Sequence, residues 1–234
     1  MKNKKLLILI FALLGIILAA CGGSDEPAED QANEEGTTAE ESADSDSGFP
    51  MTISPTVTSS QNRDGSETYT FEEVTFESVP ERIVVFDYGF LDTLDALGVE
   101  GIVGVAKDSS LPAHLEKYSA DEYGNIGTLK EPLLEDIAAL EPDVIFISGR
   151  QATFYEQLKE ITPNVVFVGT VDDDYWNTFL ASVDIAAKLF DKKAEAEEYL
   201  AKIDSALEEI NALAENYDTS LVTMYNEGEL SGFS

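Results

Sequence analysis

The 234-residue chain has one cysteine, one histidine and three arginines, against 46 aspartate and glutamate residues. A single cysteine cannot form an intrachain disulfide, so the fold has to rely on a hydrophobic core. The net charge of −32 argues against a nucleic-acid partner, because phosphate binding requires clustered Lys and Arg side chains. The lone histidine, His114, supports neither a Ser/His/Asp triad nor an HExxH motif, and no cluster of His, Cys and carboxylate residues indicates a metal site. The sequence therefore predicts no catalytic residues and no metal held by the protein.

Residues 1–20 have the pattern of an export signal peptide, in which a lysine-rich start precedes an apolar run. The run is shorter than the ~20 residues that a membrane-spanning helix needs. It ends in Leu18-Ala19-Ala20-Cys21, which resembles the lipobox of bacterial lipoproteins. The resemblance implies that Cys21 carries a diglyceride and anchors the protein to the outer face of the cell membrane, in a bacterium of the Gram-positive type. The alternative is a cleaved secretory signal with an incidental cysteine.

Residues 21–48 form an acidic segment that follows the signal peptide. From Gly22 onward it contains no Lys, Arg, aromatic or large aliphatic residue. Such a segment cannot bury a core, and its like charges repel one another. We therefore predict a disordered linker between the membrane anchor and a folded part.

Residues 49–190 are predicted to form an α/β lobe. An initial hairpin with arms 52–58 and 67–76 turns at Asp64-Gly65. Short apolar runs then alternate with segments of helical spacing, which is typical of a parallel sheet covered on both faces. The predicted strands are 82–86, 102–106, 144–148 and 165–168, and the predicted helices are 90–97, 133–140, 152–161 and a helix from 174 to about 190, capped by Asp174.

Residues 191–217 are predicted to form one long amphipathic helix, capped by Asp191. A fresh strand follows at 220–225, and Gly228 starts a turn after it. Because this strand has no sequence left to pair with, residues 218–234 are interpreted as the start of a second lobe that is largely missing.

Five segments of the chain together resemble the substrate-binding lipoproteins of ABC importers for ferric siderophores. These segments are 82–89 (RIVVFDYG), 91–98 (LDTLDALG), 127–132 (GTLKEP), 140–145 (LEPDVI) and 147–151 (ISGRQ). The resemblance implies a two-lobed fold with a rigid helix between the lobes, of which this chain holds the N-terminal lobe. Within the family, the chain is most similar to the branch that binds catecholate siderophores of the petrobactin type.

The resemblance implies a binding protein that captures a ferric siderophore and delivers it to the permease subunits of an ABC transporter. The siderophore would supply the iron ligands, so no cofactor is expected. Three alternatives remain open: another bulky ligand such as haem or a cobalamin, an inert structural lipoprotein of the cell surface, and an extracellular enzyme.

Arg150 is the strongest candidate for a ligand contact, because it follows a buried strand at the end where parallel sheets bind ligands. The matching arginine of the family faces the cleft, and a guanidinium can donate to several oxygens around the iron. The alternative is a surface salt bridge. Lys130 is a second candidate, against an ordinary solvated lysine. Tyr88 and Gln151 could line the same edge, against simple loop packing.

Two further pairs of residues are weaker candidates. Glu135, with Glu131 as its rival, is implied by the resemblance as the acidic residue that pairs with transporter arginines, against a generic exposed glutamate. Tyr175 and Trp176 could stack on an aromatic ligand, but packing against the protein is favoured at a helix start.

Overall fold

The structure is a computed structural model that describes residues 48–62, 65–219, 221–226 and 229–233. Cys21, the signal peptide and the linker up to residue 47 lie outside the described residues, so the expectations for them stay predictions. Within the described ranges, no helix combines the length and the apolar character needed to cross a membrane.

The centre of the molecule is a five-stranded parallel sheet with the strand order β7-β6-β5-β8-β9. Every residue of β5, β8 and β9 is buried, as expected for strands covered on both faces. The prediction of a parallel α/β sheet is confirmed, although the short β7 was not predicted. The strands are β5 (Ile83–Val85), β6 (Ile102–Val105), β7 (Gly124–Asn125), β8 (Val144–Ile147) and β9 (Val165–Phe167).

Helices cover both faces of this sheet, because successive strand residues point to opposite sides. Val84 and Ile145 belong to one buried cluster, and Val85 and Phe146 to the other. The helices are α1 (Tyr88–Ala96), α2 (Leu134–Ala139), α3 (Tyr155–Lys159), α4 (Tyr175–Leu189) and α5 (Lys193–Ala214). Short 3₁₀ helices lie at Ala113–Ser119, Gly149–Phe154 and Asp172–Asp174.

One predicted helix cap, Asp191, is wrong, and the other, Asp174, lies at the predicted position without the capping hydrogen bond. Asp174 stands at the N-terminus of α4, but its side chain accepts a hydrogen bond from the Asn177 side chain at 2.6 Å and none from the helix backbone. Asp191 has a φ of +52° and lies in the turn between α4 and α5, with Lys192 at the α5 cap position. The Lys192 N–H donates to Ala187 O at 2.8 Å, so this turn closes the C-terminus of α4.

The predicted N-terminal hairpin is present as two short antiparallel ladders. Strand β1 (Met51–Ile53) pairs with β4 (Val74–Phe76), and β2 (Ser59–Gln61) pairs with β3 (Thr68–Thr70). The predicted arms are interrupted because the chain between β1 and β2 pairs elsewhere. The Thr56 N–H donates to Phe167 O at 2.9 Å and Thr56 Oγ1 donates to Gly169 O at 2.7 Å. This segment therefore covers the outer edge of β9.

Helix α5 and the residues after it form the C-terminal part of the described chain. The helix ends at Ala214, three residues before the predicted end. Strand β10 (Val222–Asn226) pairs antiparallel with β11 (Glu229–Phe233), so the prediction that the last strand has nothing to pair with is wrong. Many apolar side chains here are exposed, among them Leu207, Ile210, Leu213, Tyr217, Leu221, Met224 and Leu230.

Candidate functional site

The candidate site lies at the carboxyl edge of the central sheet, where the strand order reverses. From the central strand β5 the chain adds β6 and β7 on one side, and then returns to add β8 and β9 on the other. Ligands of open parallel sheets bind outside the carboxyl ends of the strands at such a switch point. Tyr88 follows β5 and Arg150 follows β8, so the topology places both at this point.

Arg150 is an exposed side chain in the short 3₁₀ helix after β8. It makes no ion pair and no side-chain hydrogen bond with another described residue, so the salt bridge left open by the sequence is not found there. Most other cations of the described chain do have carboxylate partners. These are Lys117 with Asp95, Lys159 with Glu72, Lys188 with Asp184, Lys192 with Glu195 and Lys202 with Glu198. Among the described residues, Arg150 is therefore a positive charge without a carboxylate partner.

Lys130 lies in a tight loop after β7 and is also exposed and without an ion pair in the part of the chain that the structure describes. Gly127 begins the loop with a φ of +98°, and a Cβ there would lie 2.4 Å from Glu131 O. Thr128 Oγ1 accepts hydrogen bonds from the Lys130 N–H at 3.1 Å and the Glu131 N–H at 2.9 Å. Hydrogen bonds therefore hold the loop backbone, while the Lys130 ammonium group has no ion pair with the described residues.

Tyr88 is half-buried at the start of α1. Its hydroxyl donates towards Ala106 O and towards Ser109 O, the latter at 3.2 Å. Burial raises the pKa of the Tyr88 phenol. The hydroxyl therefore holds the loop after β6, and the part of Tyr88 left for a ligand is the exposed portion of its ring.

Gln151 is fully buried, although the sequence suggested that it lines the site beside Arg150. Its Oε1 accepts hydrogen bonds from the Ser148 N–H at 3.0 Å and from Ser148 Oγ at 3.3 Å. Its Nε2 donates to Leu129 O. A side chain with no exposed surface cannot contact a ligand in this conformation, so Gln151 lies behind the site surface.

Hydrogen bonds join the loops that follow four strands of the sheet. Tyr88 after β5 bonds to Ser109 in the loop after β6, and Ser109 Oγ accepts from the Leu129 N–H at 3.0 Å. Leu129, in the loop after β7, accepts from Gln151 after β8. The loops that carry Tyr88, Lys130 and Arg150 are thereby tied into one surface, which we call the carboxyl-edge surface.

The acidic docking candidates and the aromatic pair are all exposed. Glu135 lies in the first turn of α2, and Glu131 ends the Lys130 loop. Neither carboxylate has an ion pair among the residues described. Tyr175 is 57% exposed and Trp176 is 40% exposed, with the Trp176 ring 5.5 Å from Phe179. The favoured prediction that both aromatic residues pack against the protein is wrong for Tyr175.

The opposite edge of the sheet has a different character. Two hollows there share Val79, Pro80 and Glu81, and Glu77, Glu100 and Asp143 contribute further carboxylates to their linings, while Lys192, which also lines one of them, is paired with Glu195. Arg82 at this edge donates from Nε to Leu140 O at 2.8 Å and to Glu141 O at 3.1 Å. The amino edge therefore presents negative charge, and its arginine is engaged by the backbone.

Within residues 48–62, 65–219, 221–226 and 229–233, no three His, Cys, Asp or Glu side chains come together in a group that could hold a metal ion.

Comparison with known proteins identifies the family. The sequence profile described as "Periplasmic binding protein" matches residues 83–234. The chain belongs to the periplasmic binding protein family. The match begins at β5 and includes every strand of the central sheet. The carboxyl-edge surface therefore lies within the family's own fold.

Two curated members of the family are similar over about two thirds of this chain. The petrobactin-binding protein YclQ of Bacillus subtilis is 37% identical over 155 residues, which are 66% of this chain and 49% of YclQ. The ferric-anguibactin-binding protein FatB of Vibrio anguillarum is 34% identical over 163 residues, with the same two shares. The chain thus spans about half the length of the curated relatives it matches.

Solved structures of periplasmic binding proteins share the α/β fold of this chain. The crystal structure of YclQ superimposes with a TM-score of 0.62 at 32% identity, over 75% of this chain and 60% of that one. The catecholate-siderophore binding protein VctP of Vibrio cholerae gives a TM-score of 0.61 at 27% identity, over 78% and 61%. The predicted family and the predicted fold class, a parallel sheet with a long helix, are confirmed.

Proposed function

We propose that this chain contributes its carboxyl-edge surface to the binding site for a ferric siderophore, of the catecholate type, in an ABC iron importer. The observation that carries the proposal is the free Arg150 at the switch point of the sheet. In a chain with a net charge of −32, an arginine that has no carboxylate partner among the described residues is available for an anionic ligand. The names of the relatives support the ligand class, since YclQ and FatB are named for petrobactin and ferric anguibactin.

The chemistry of the surface fits a ferric catecholate. Arg150 can donate to several oxygens around the iron at once, and Lys130 adds a second charge from the neighbouring loop. The bulk acidity of the chain does not cancel these cations, because salt screens charges beyond ~8–10 Å. The siderophore supplies the iron ligands in this proposal, so the protein contributes hydrogen bonds, charge and shape.

The experiment is calorimetric titration of the chain and of its Arg150→Ala variant with ferric petrobactin, a ferric hydroxamate, haem and cyanocobalamin. A charge-assisted hydrogen bond is worth ~1.5–3 kcal/mol, so Arg150→Ala should weaken binding of ferric petrobactin about 10- to 100-fold. The matched control is Lys193→Ala, because Lys193 is an exposed cation of α5 that also has no ion pair in the described part of the chain. If the unmodified chain, Arg150→Ala and Lys193→Ala bound ferric petrobactin with equal affinity, the role of Arg150 would be refuted. If haem or cyanocobalamin bound more tightly than ferric petrobactin, the proposed ligand class would be wrong.

We further propose that Cys21 carries the lipid anchor, on the strength of the lipobox pattern in the sequence. A diglyceride places two acyl chains in the bilayer, which is enough for stable anchoring. Cys21→Ser should release the protein from the cell membrane into the medium and abolish incorporation of labelled glycerol. Retention of the variant at the membrane would contradict the proposal.

Delivery to the permease is proposed to involve Glu135, with Glu131 as the rival residue. Both carboxylates are exposed and free of ion pairs within the described chain, so they are available to arginines of a transporter. Glu135→Lys should reduce iron uptake without changing ligand affinity. Glu156→Lys, an exposed glutamate of α3, is the matched control. Uptake that is unchanged in Glu135→Lys and reduced in Glu131→Lys would reassign the contact.

A further inference from the structure

Among the described residues, Gln151 is the one buried side chain that directly bonds the loop carrying Arg150 to the loop carrying Lys130. We infer that Gln151 is a positioning residue, which fixes the spacing of these two cations before a ligand arrives. The role in ligand binding rests on the proposed function. The coupling of the two loops can be measured on the chain without any ligand.

The contacts of Gln151 span two strands of the sheet and 22 residues of sequence. On the β8 side, its Oε1 accepts from the Ser148 N–H at 3.0 Å, as the N3 residue of a capping box does for the N-cap residue. On the β7 side, its Nε2 donates to Leu129 O, the residue directly before Lys130. The Leu129 N–H is in turn bonded to Ser109 Oγ at 3.0 Å. We call the hydrogen bonds of Gln151 to Ser148 and to Leu129 the clamp. The clamp therefore holds the backbone of both loops in place.

Only a carboxamide meets both requirements at this position. It presents an acceptor and a donor in one planar group, whereas an ionised carboxylate only accepts and a methionine side chain does neither strongly. Because the amide is fully buried, water cannot replace a lost partner. A substitution of Gln151 that removes the donor to Leu129 O should therefore loosen the loop that carries Lys130. The strands of the sheet should keep their own hydrogen bonds.

The consequence for binding is preorganisation. Ordering a loop at the moment of binding takes free energy away from the interaction, and a loop that is already ordered avoids this loss. If the clamp holds, Arg150 and Lys130 should act on an anionic ligand as a coupled pair. If the clamp is broken, the two cations should act independently.

The test uses hydrogen exchange of individual backbone amides in the ligand-free chain. Gln151→Glu keeps an acceptor for Ser148 but faces the Leu129 carbonyl with a carboxylate, so only one side of the clamp should open. We expect the Leu129 amide to exchange about tenfold faster than in the unmodified chain, with the Ser148 amide unchanged. Gln151→Met should speed exchange at both amides. Gln157→Glu, an exposed glutamine on α3, is the matched control for the added charge and should change neither.

A pH series sharpens the test, because a protonated carboxyl group can donate a hydrogen bond. In Gln151→Glu the Leu129 amide should regain its protection, relative to the unmodified chain at the same pH, when the introduced carboxyl group is protonated. Gln151→Met should show no such recovery. Unchanged exchange at Leu129 in both variants would overturn the inference. Faster exchange spread equally over the amides of β5 and β8 would also overturn it, since Gln151 would then support the whole fold.

The ligand arm is a double-mutant cycle with Arg150→Ala and Lys130→Ala, titrated with ferric petrobactin. The two losses of affinity should be non-additive in the unmodified background and additive in the Gln151→Met background. Additive losses in both backgrounds would overturn the positioning role in binding. Failure of ferric petrobactin to bind at all would refute the proposed function, and the exchange result would still decide whether the clamp exists.

Discussion

Two arginines stand at opposite edges of the same sheet and have different surroundings. Arg82 precedes β5 at the amino edge, where its guanidinium group bonds to the carbonyl oxygens of Leu140 and Glu141. Arg150 follows β8 at the carboxyl edge and has no partner in the described chain. The two residues have the same chemistry, so the difference comes from the backbone that surrounds them.

At the amino edge, the turn before β8 supplies the partners. Glu141 has a φ of +46°, a conformation that is unfavourable for a residue other than glycine. The bond from Arg82 to its carbonyl helps to hold this turn, and Asp143 Oδ2 accepts from the N–H groups of Glu81 and Arg82 at 2.9 and 2.8 Å. At the carboxyl edge, the loops form hydrogen bonds with one another, and Arg150 and Lys130 make no ion pair with the described residues. We infer that the amino edge serves stability and the carboxyl edge serves binding.

The largest effect on stability is expected from Arg82→Ala. The variant loses hydrogen bonds to two carbonyl oxygens of the turn, so the free energy of unfolding should fall by about 1–3 kcal/mol. Chemical denaturation would measure the change. Arg150→Ala should change the unfolding free energy by less than about 0.5 kcal/mol, because it removes no hydrogen bond or ion pair with the described residues. If Arg82→Ala and Arg150→Ala lowered the unfolding free energy equally, the proposed difference between the two edges would be wrong.

A smaller effect is expected from Tyr88→Phe, and it should depend on pH. Burial raises the pKa of the Tyr88 phenol in the folded chain, so above about pH 10 the unfolded chain loses this proton first and stability falls. At pH 7 the variant should be about 1 kcal/mol less stable, through its lost hydrogen bonds. Between pH 10 and 12 its stability should decline less steeply than that of the unmodified chain.

The control for this pH series is Tyr225→Phe, since Tyr225 on β10 is largely exposed. It should leave both the stability at pH 7 and the alkaline slope unchanged. If Tyr88→Phe and the unmodified chain lost stability at the same rate above pH 10, burial would not raise the pKa of the Tyr88 phenol.

The smallest effect is expected from Lys130→Ala. An exposed charge contributes ~0.2–1 kcal/mol, so affinity for ferric petrobactin should fall about two- to fivefold. The difference should shrink when the salt concentration is raised, because screening weakens exposed charges first. A loss as large as that of Arg150→Ala, and insensitive to salt, would mean that Lys130 is the main ligand contact.

The sequence predicts the core of this fold well and its junctions less well. Strands β5, β6, β8 and β9 follow from short continuous apolar runs, because burial on both faces removes polar residues from a strand. The turn at Asp191 is not recognisable as such, since an aspartate before a helical segment is also the usual sign of a cap. The pairing of β10 with β11 was missed because the final segment, ELSGF, has weak alternation.

The candidate site likewise has features that the sequence predicts and features that it does not. The placement of Arg150 and Tyr88 at the carboxyl edge could be predicted, because both follow predicted strands. The burial of Gln151 could not, because it depends on Leu129, which is 22 residues away along the chain and on a different loop. No local pattern distinguishes an interior glutamine from an exposed one beside an arginine. The free state of Arg150 likewise depends on which carboxylates the fold brings near it.

The contact of Thr56 with β9 has a consequence for how molecules of this protein meet one another. An uncovered outer strand offers a row of unpaired amides and carbonyls, to which a strand of a second molecule can add. Here the segment before β2 occupies part of that row, through the hydrogen bond from Thr56 to Phe167. The segment therefore shortens the part of β9 with which a strand of a second molecule could pair, and it lies in residues that the family profile does not include.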